Sequence, residues 1–256
     1  MDMQSSFSAT STTTGNQPRK FFLEDGIGFV ELLEWFGSDL TVANAARVSM
    51  HKESAFECEP QSDGSINHVL SERDKQLITY LARNRHVTPF FHPQLRFRIK
   101  MPIFVVREWY RHTIGFARNE VSRRYVTEAP QCFVSSVVRQ RDKNIKQGSK
   151  DAAVDNNEIV VAQMRAFTEQ ACALYNQLLE QGVCPEQARM ILPQSMYTEF
   201  IETASLAGYA RLAILRLDGA AQREIRTYAS FVAQCTEQIF PVSWKAMLDT
   251  GTHLLL

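Results

Sequence analysis

The sequence predicts an α+β fold in which a mixed sheet is flanked by long helices. In residues 95–101, apolar side chains alternate with basic ones, which is the period of a half-buried strand with one basic face. Residues 159–179 carry apolar side chains at helical spacing instead. Because strands and helices do not alternate regularly along the chain, we expect α+β rather than a wound β-α-β architecture.

The first elements follow from local signals. Phe29–Phe36 is an apolar run that predicts a strand, and Asp39 is predicted to cap a helix that extends to Val48. Residues 51–70 are polar with little periodicity, which predicts an inserted loop. Ser71 begins the Ser-x-x-acid pattern of a capping box, so a helix is expected to start after it.

The later elements are predicted in the same way. Pro102 suits the first turn of a helix that carries Glu108, Trp109 and Arg111. Residues 139–158 are interpreted as a mobile, solvated loop, with a binding patch as the alternative. Two further helices are predicted at residues 206–217 and 222–240. We expect residues 1–20, rich in Ser and Thr, to be a disordered lead-in, and residues 21–256 to form a single domain.

The composition is that of an ordinary globular protein, with 45% hydrophobic and 22% charged residues. Basic and acidic residues number 28 each, which argues against nucleic acid as a partner. No run reaches the roughly 18 apolar residues of a membrane span. The five cysteines are scattered and odd in number, so we expect free thiols in the cytoplasm. No CxxC pair or close His/Cys spacing indicates a metal site.

Residues 111–125 hold the densest group of chemically active side chains. They include four arginines, a histidine, an asparagine, a glutamate and a serine. Guanidinium groups match phosphate oxygens in bidentate geometry, and Asn and Glu side chains can read the edge of a heterocycle. A solvated basic loop is the alternative interpretation. Because Trp109, Tyr110 and an apolar run lead into the segment, we interpret it as a site for a small phosphorylated ligand.

This segment resembles the signature of the flavin-dependent thymidylate synthases, in which Arg-His-Arg is followed by Asn, Ser and Arg at set spacings. Arg111-His112 and residues 119–125 match. Thr113 stands where the family usually has its second Arg, and one additional residue separates the His from the Asn. Arg118 is a candidate for the missing guanidinium. Ala220 stands where a His commonly precedes Ala-Gln.

The resemblance extends from about Gly28 to about Trp244. Four further motifs support it: Asn-Ala-Ala-Arg-Val-Ser at 44–49, Arg-His-Val-Thr-Pro-Phe-Phe-His at 85–92, Ala-Arg-Met-Ile-Leu-Pro at 188–193 and Leu-Arg-Leu-Asp at 215–218. Five matches in the same order are far more specific than any one of them.

The resemblance implies a methyltransferase that makes dTMP from dUMP. Methylenetetrahydrofolate is the implied one-carbon donor, and FAD with NADPH is the implied reductant. It also implies a homotetramer with flavin sites between subunits. The family needs no protein nucleophile, and only Cys184, before Pro185 at a predicted helix start, has a context that could activate a thiol. No Gly-x-Gly-x-x-Gly fingerprint is present, so FAD is not expected on a Rossmann turn.

The resemblance assigns individual residues as well. Arg216 is the candidate catalytic residue, since a cation fixed at the pyrimidine favours an ionised N3 and raises electron density at C5. The candidates around dUMP are Glu108, Arg111, Glu120, Val121, Ser122, Arg123, Arg124, Arg189 and Arg216. The candidates around FAD are Ser49, His86, Thr88, Arg111, His112, Thr113, Asn119, Glu120, Ser205 and Arg211.

Two other functions stay open on the sequence. A sibling enzyme that methylates or hydroxymethylates C5 of another pyrimidine nucleotide, such as UMP, is compatible with the altered positions Thr113 and Ala220. A non-catalytic nucleotide-binding relative is the other alternative, and it would take up no FAD.

Overall fold

A five-stranded sheet forms the centre of the fold. The computed structural model describes residues 19–126, 128–142 and 149–251. The strands of the sheet, in spatial order, are β1 (Lys20–Phe22), β2 (Phe29–Phe36), β5 (Gln94–Pro102), β9 (Tyr197–Ser205) and β6 (Phe116–Glu120). The predicted α+β class is confirmed, and every neighbouring pair is antiparallel where a mixed sheet was expected.

One face of this sheet forms the core. Leu95, Phe97 and Ile99 of β5 are fully buried, while Arg96 and Arg98 between them are exposed. Successive side chains of a strand point to opposite faces, so the alternation in the sequence places the apolar set inward. The predicted half-buried strand with one basic face is therefore confirmed.

Helices make up most of the rest of the fold. In the described ranges they are α1 (Asp39–Arg47), α2 (Glu72–Arg83), α3 (Ile103–Trp109), α4 (Asn157–Glu180), α5 (Pro185–Ala188), α6 (Leu206–Arg216), α7 (Arg223–Ile239) and α8 (Pro241–Thr250). The helices predicted at 159–179, 206–217 and 222–240 are confirmed as α4, α6 and α7. The last three helices contact one another, and α2 packs on α8. Within these ranges, no helix has the length and apolar character needed to span a bilayer.

Two helix starts depend on short polar side chains. Ser71 caps α2 as predicted, because its Oγ accepts the backbone N–H of Asp74 at 3.1 Å. The prediction that Asp39 caps α1 is wrong, because Ser38 is the N-cap and Asp39 is the first helical residue. The Asp39 carboxylate instead accepts the N–H groups of Val242 and Ser243 at 3.0 and 2.9 Å. It thereby satisfies the first turn of α8, which has no intrahelical acceptors.

Two segments predicted as loops contain hairpins. The first pairs β3 (Glu57–Pro60) with β4 (Ile66–Val69), and the second pairs β7 (Arg139–Arg141) with β8 (Ser149–Ala153). β3 and β8 are exposed along their whole length, so neither has a core face to produce an alternating pattern. Residues 143–148, within the second hairpin, lie outside the described residues.

Three boundaries of elements in the structure differ from those predicted from the sequence. Pro102 is the last residue of β5 and the N-cap of α3, rather than a residue of its first turn. Helix α3 ends at Trp109, so Arg111 lies beyond it. The predicted lead-in falls outside the described residues up to residue 18, and Lys20 already belongs to β1.

Candidate functional site

A cleft of 1010 Å³ opens where β6 ends. Five residues predicted to bind the nucleotide line it, namely Glu120, Val121, Ser122, Arg123 and Arg189. The first four are consecutive, whereas Arg189 begins the 3₁₀ turn Arg189–Ile191 after α5. The fold therefore brings two of the matching motifs to one cavity. A second cavity, of 660 Å³ between α2 and α8, is lined by none of the predicted residues.

The basic face of β5 supplies two further cations to the cleft. Arg98 and Lys100 line it, although the sequence assigned them no role. The Arg98 guanidinium contacts Glu199 on β9, and Lys100 Nζ donates to Gln131 Oε1 at 2.6 Å. With Arg123 and Arg189, four cations line the cavity, and four glutamates line it as well, namely Glu120, Glu128, Glu186 and Glu199. The cavity has no excess of positive charge, so a phosphate would be bound by individual guanidinium groups in direct contact with its oxygens. The alternating basic residues of β5 were the sequence signal that could have indicated these two cations.

Ser122 and the two arginines after it form a turn at the cleft. Ser122 Oγ accepts the backbone N–H of Arg124 at 3.3 Å, and the Arg123 guanidinium contacts the carbonyl of Glu128. Arg124 Nε lies 2.6 Å from Glu186 Oε1, and both side chains are about half exposed. An exposed pair of this kind contributes only about 0–1 kcal/mol. Arg124 can therefore exchange Glu186 for a phosphate at small cost.

Arg216, the candidate catalytic residue, lies at the end of α6 in a second group of predicted residues. Its guanidinium contacts the carboxylate of Glu108 on α3, and its Nε donates to His112 Nε2 at 2.9 Å. The three side chains come from α3, the segment after it and α6, so the sheet and helices hold them together. None of the three is among the described residues that line the cleft.

His112 is held as a neutral imidazole. Burial, followed by the charges of Arg216, Arg118 and Arg211, lowers the pKa of His112 to about 4. Because a guanidinium can only donate, Nε2 must be the acceptor and the proton of the neutral ring must lie on Nδ1. His112 can therefore offer one N–H donor to a ligand while it orients Arg216.

Glu202 is a buried carboxylate that the sequence reasoning missed. It is fully buried on β9, and it accepts the indole N–H of Trp109 at 3.2 and 3.1 Å on its two oxygens. The Arg118 guanidinium contacts it from β6, where the two residues are directly opposite in register. Arg118 is thus engaged in the core. The suggestion that it replaces the missing signature arginine at a ligand is not supported by this geometry.

Glu120 connects the cleft to the neighbouring elements. Its carboxylate accepts the hydroxyl of Tyr110 at 3.1 Å and that of Thr198 at 2.7 Å. Burial first, and the Glu120 charge second, raise the pKa of Tyr110, so its hydroxyl stays protonated as a donor. These two bonds fix the carboxylate at the edge of the cavity, where it can accept from a ligand.

The candidates for FAD lie on several elements. Ser49 and His86 are exposed, with Ser49 Oγ donating to the Ala46 carbonyl at 2.9 Å and the His86 ring stacked on Tyr80. Thr88, Arg111, Thr113 and Asn119 are exposed, whereas Arg211 is half-buried on α6. Ser205 is buried and caps α6 by accepting the N–H of Gly208 at 3.1 Å. Which of these residues bind FAD stays a prediction.

A tight turn brings three of these elements together. Gly115 has a φ of 79°, in the left-handed region that favours glycine. A Cβ at this position would lie 3.2 Å from Ser205 Oγ and 3.7 Å from the ring of Phe91. The turn, the cap of α6 and the 3₁₀ turn Thr88–Phe91 therefore approach closely. The arginines can donate to a pyrophosphate, and His112 and Asn119 can bind the edge of a ring. Together these residues form a donor set that fits FAD.

Comparison with known proteins identifies the family of this chain. The family model described as "Thymidylate synthase complementing protein" matches residues 31–242. The chain is 36% identical over 228 residues to the flavin-dependent thymidylate synthase of Thermus thermophilus, which covers 89% of this chain and 77% of the relative. It is also 36% identical over 225 residues to that of Kosmotoga olearia, covering 87% and 90% of the two chains.

A solved structure is similar over the same extent. The UMP/dUMP methylase PolB from Streptomyces cacaoi, bound with 5-Br dUMP, has a TM-score of 0.70 and 30% sequence identity. The similarity covers 87% of this chain and 95% of that one. The family model alone spans most of the chain. The chain therefore belongs to the flavin-dependent thymidylate synthase family.

Proposed function

We propose that this protein makes dTMP from dUMP, with methylenetetrahydrofolate as the one-carbon donor and FAD with NADPH as the reductant. One observation supports this above all. In a chain of this family, five residues that the resemblance assigns to the nucleotide line a single cleft together with further cations. The free cysteines and the use of NADPH both suit the reducing cytoplasm, where we place the reaction.

In this proposal, the cleft binds the nucleotide by its phosphate. Ser122, Arg123 and Arg189 donate to the phosphate oxygens, and Arg124 joins them by leaving Glu186. Lys100 adds a further positive charge to the cavity, while Arg98 is paired with Glu199. Glu120, held by Tyr110 and Thr198, accepts from the nucleotide at the other end.

Arg216 acts at the pyrimidine. Its charge stabilises an ionised N3, which increases electron density at C5, where the one-carbon unit is added. Glu108 and His112 fix the direction of the guanidinium. Arg211, His112, Asn119 and the turn at Gly115 are the groups we assign to FAD. When bound, FAD supplies the hydride that completes the methyl group.

The protein is proposed to be a homotetramer with shared sites. Residues predicted for one nucleotide fall into two groups, since Glu108, Arg111 and Arg216 are not among the described residues that line the cleft. Helix α4 also exposes Ile159, Met164 and Phe167, the last at 63%. Exposed apolar side chains on one helix would be buried if another chain packed against it. A second subunit would bring the two groups of residues to one ligand.

UMP as the substrate is the second candidate. The solved structure of similar fold belongs to a methylase named for both UMP and dUMP, and its similarity covers most of the chain. The two candidates differ in a single hydroxyl group of the sugar. Measuring turnover with dUMP, UMP and dCMP under identical conditions separates them, and exclusive turnover of UMP would contradict the main proposal.

Three measurements test the proposal. The purified protein should show the absorbance of oxidised flavin, or gain it on addition of FAD, and it should form dTMP from dUMP. Arg124→Ala should weaken dUMP binding about tenfold to a hundredfold, as expected for loss of a charge-assisted bond worth roughly 1.5–3 kcal/mol, and should leave FAD bound. No uptake of FAD at micromolar concentration would refute the proposed function.

The assembly has its own test. Light scattering should give about four times the 29.2 kDa chain mass. Mixing an Arg111→Ala subunit with a Ser122→Ala subunit should restore part of the activity if the two residues reach one site from different chains. A fully active monomer would refute the tetramer while leaving the reaction intact.

A further inference from the structure

Glu202 and Arg118 are two buried charged residues that do not line the cleft. Glu202 is fully buried on the core face of β9, and the Arg118 side chain is 13% exposed. Neither is among the described residues that line the cavity. A buried carboxylate or guanidinium is strongly destabilising without a partner, and an apolar pair of similar volume usually packs as well or better. Packing alone therefore does not explain why charges occupy these positions.

One set of contacts leads from the pair to the nucleotide cleft. The guanidinium of Arg118 lies 4.9 Å from the ring centroid of Tyr110 and 4.6 Å from that of Phe116. The hydroxyl of Tyr110 in turn donates to Glu120 at 3.1 Å. The position of Arg118 thus sets the position of the ring that holds Glu120 at the edge of the cleft.

A second set of contacts leads to the catalytic candidate. Both oxygens of Glu202 accept the indole N–H of Trp109, at 3.2 and 3.1 Å. Trp109 follows Glu108 on α3, and Glu108 contacts Arg216. One carboxylate therefore ties α3, β6 and β9 together at the point where the two groups of site residues diverge.

We propose that Arg118 and Glu202 form a positioning pair for the methylation reaction. The pair holds Glu120 in fixed relation to the group formed by Glu108, His112 and Arg216. Its members touch neither the nucleotide nor the flavin. The inference rests on the proposed function, because it names residues that set the geometry of that same site.

Removing both charges together tests the pair without leaving either one alone. The double variant Arg118→Leu/Glu202→Leu should fold and melt close to the parent, since apolar replacements of buried pairs are commonly tolerated. Its kcat should nevertheless fall at least about tenfold, because a misplacement of about 1 Å can cost a hundredfold. Full kcat in the folded double variant would overturn the proposal.

A matched pair outside the cleft serves as the control. Arg139 Nη2 donates to both oxygens of Glu224 at 2.8 and 2.9 Å, and both side chains are less than one-fifth exposed. Arg139→Leu/Glu224→Leu should keep the kcat of the parent. If the leucine pair at 118 and 202 does not fold, Glu202→Gln is the second variant. It keeps an oxygen acceptor for Trp109 and removes the charge, and a kcat equal to that of the parent would again overturn the proposal.

The protonation of His112 reports whether the Arg118 charge reaches the group formed by Glu108, His112 and Arg216. The charged groups that face His112 are Arg216 and Arg211 from α6 and Arg118 from β6, with Glu108 of α3 reached through Arg216. Loss of the Arg118 charge should move the NMR titration of His112 to higher pH, together with the acid limb of kcat/KM. An unchanged acid limb would count against the pair. The NMR titration of His112 can be measured on a protein that has no activity. A parent protein that makes no dTMP would therefore refute the proposed function without refuting the contact between the pair and His112.

Discussion

Asp74→Ala tests how far the stability of this fold depends on one buried ion pair. The side chains of Arg47 and Asp74 are 7% and 2% exposed. The Asp74 carboxylate accepts Arg47 Nε at 2.8 Å, Ser71 Oγ at 2.8 Å and Ser54 Oγ at 3.0 Å. The substitution removes every one of these bonds and leaves the guanidinium of Arg47 buried without its partner.

The expected loss is large because the remaining charge cannot reach water. Breaking a buried pair from one side costs about 3–5 kcal/mol. At about 2–4 °C per kcal/mol for a chain of this size, Tm should fall by roughly 6–20 °C. The double variant Arg47→Met/Asp74→Leu should recover most of the loss, since it leaves no lone charge.

Thermal and urea unfolding at a fixed protein concentration measure the effect, because the proposed tetramer would make Tm concentration-dependent. Burial alone would raise the pKa of Asp74, but the bonds from Arg47, Ser71 and Ser54 outweigh it and the pKa is lowered from 3.8. A lowered carboxylate pKa stabilises the fold above the unfolded value, and this contribution is lost as the pH falls through the folded value. The gap between parent and variant should therefore narrow in acid. A loss below about 1 kcal/mol at pH 7 would show that the pair of Arg47 and Asp74 is not a major source of stability.

Three further outcomes are expected. Cys184→Ala should retain methyl transfer, because the proposed reaction uses no protein nucleophile and Cys184 is an exposed residue at the N-cap of α5; complete loss of activity in a folded variant would contradict this. Asp39→Ala should lower the free energy of unfolding by about 0.5–2 kcal/mol, as for other lost helix caps, which urea titration can measure. Gly115→Ala should cost about 1–2 kcal/mol for its left-handed backbone and should weaken FAD uptake through the contact with Ser205, as followed by flavin absorbance.

Several elements with a buried face could be predicted from the sequence, although β9, which also has one, was not. Alternation identified β5 and helical spacing identified α7, because each has one side in the core. Helical spacing also identified α4, although its buried residues Thr168, Ala171 and Tyr175 lie outside the main hydrophobic core. The cap at Ser71 was also visible, since it depends on neighbouring residues alone. The two hairpins were missed because exposed strands have no reason to alternate. The true role of Asp39 was hidden because its partners, Val242 and Ser243, lie at the far end of the chain.

The site could be predicted in part. The signature identified the residues after β6, and the fold confirmed that they share a cavity with Arg189. Glu202 was missed, although the spacing of the glutamates in its strand could have indicated it. Glu199 and Glu202 are three positions apart on one strand, so their side chains must point to opposite faces and one of them must enter the core. The partner that makes this tolerable, Arg118, could be recognised only from the pairing of β6 with β9.

The place of β9 in the sheet has a consequence for how the chain folds during synthesis. This strand lies between β5 and β6, and the contacting residues Arg98 and Glu199 are 101 positions apart. At a synthesis rate of about 5–20 residues per second, β9 is completed roughly 5–20 s after β5. During this time β5 has an unpaired edge and an uncovered apolar face. Such an edge can pair with another chain. Nascent chains that stall between the two strands should therefore aggregate or recruit chaperones more readily than chains released after β9.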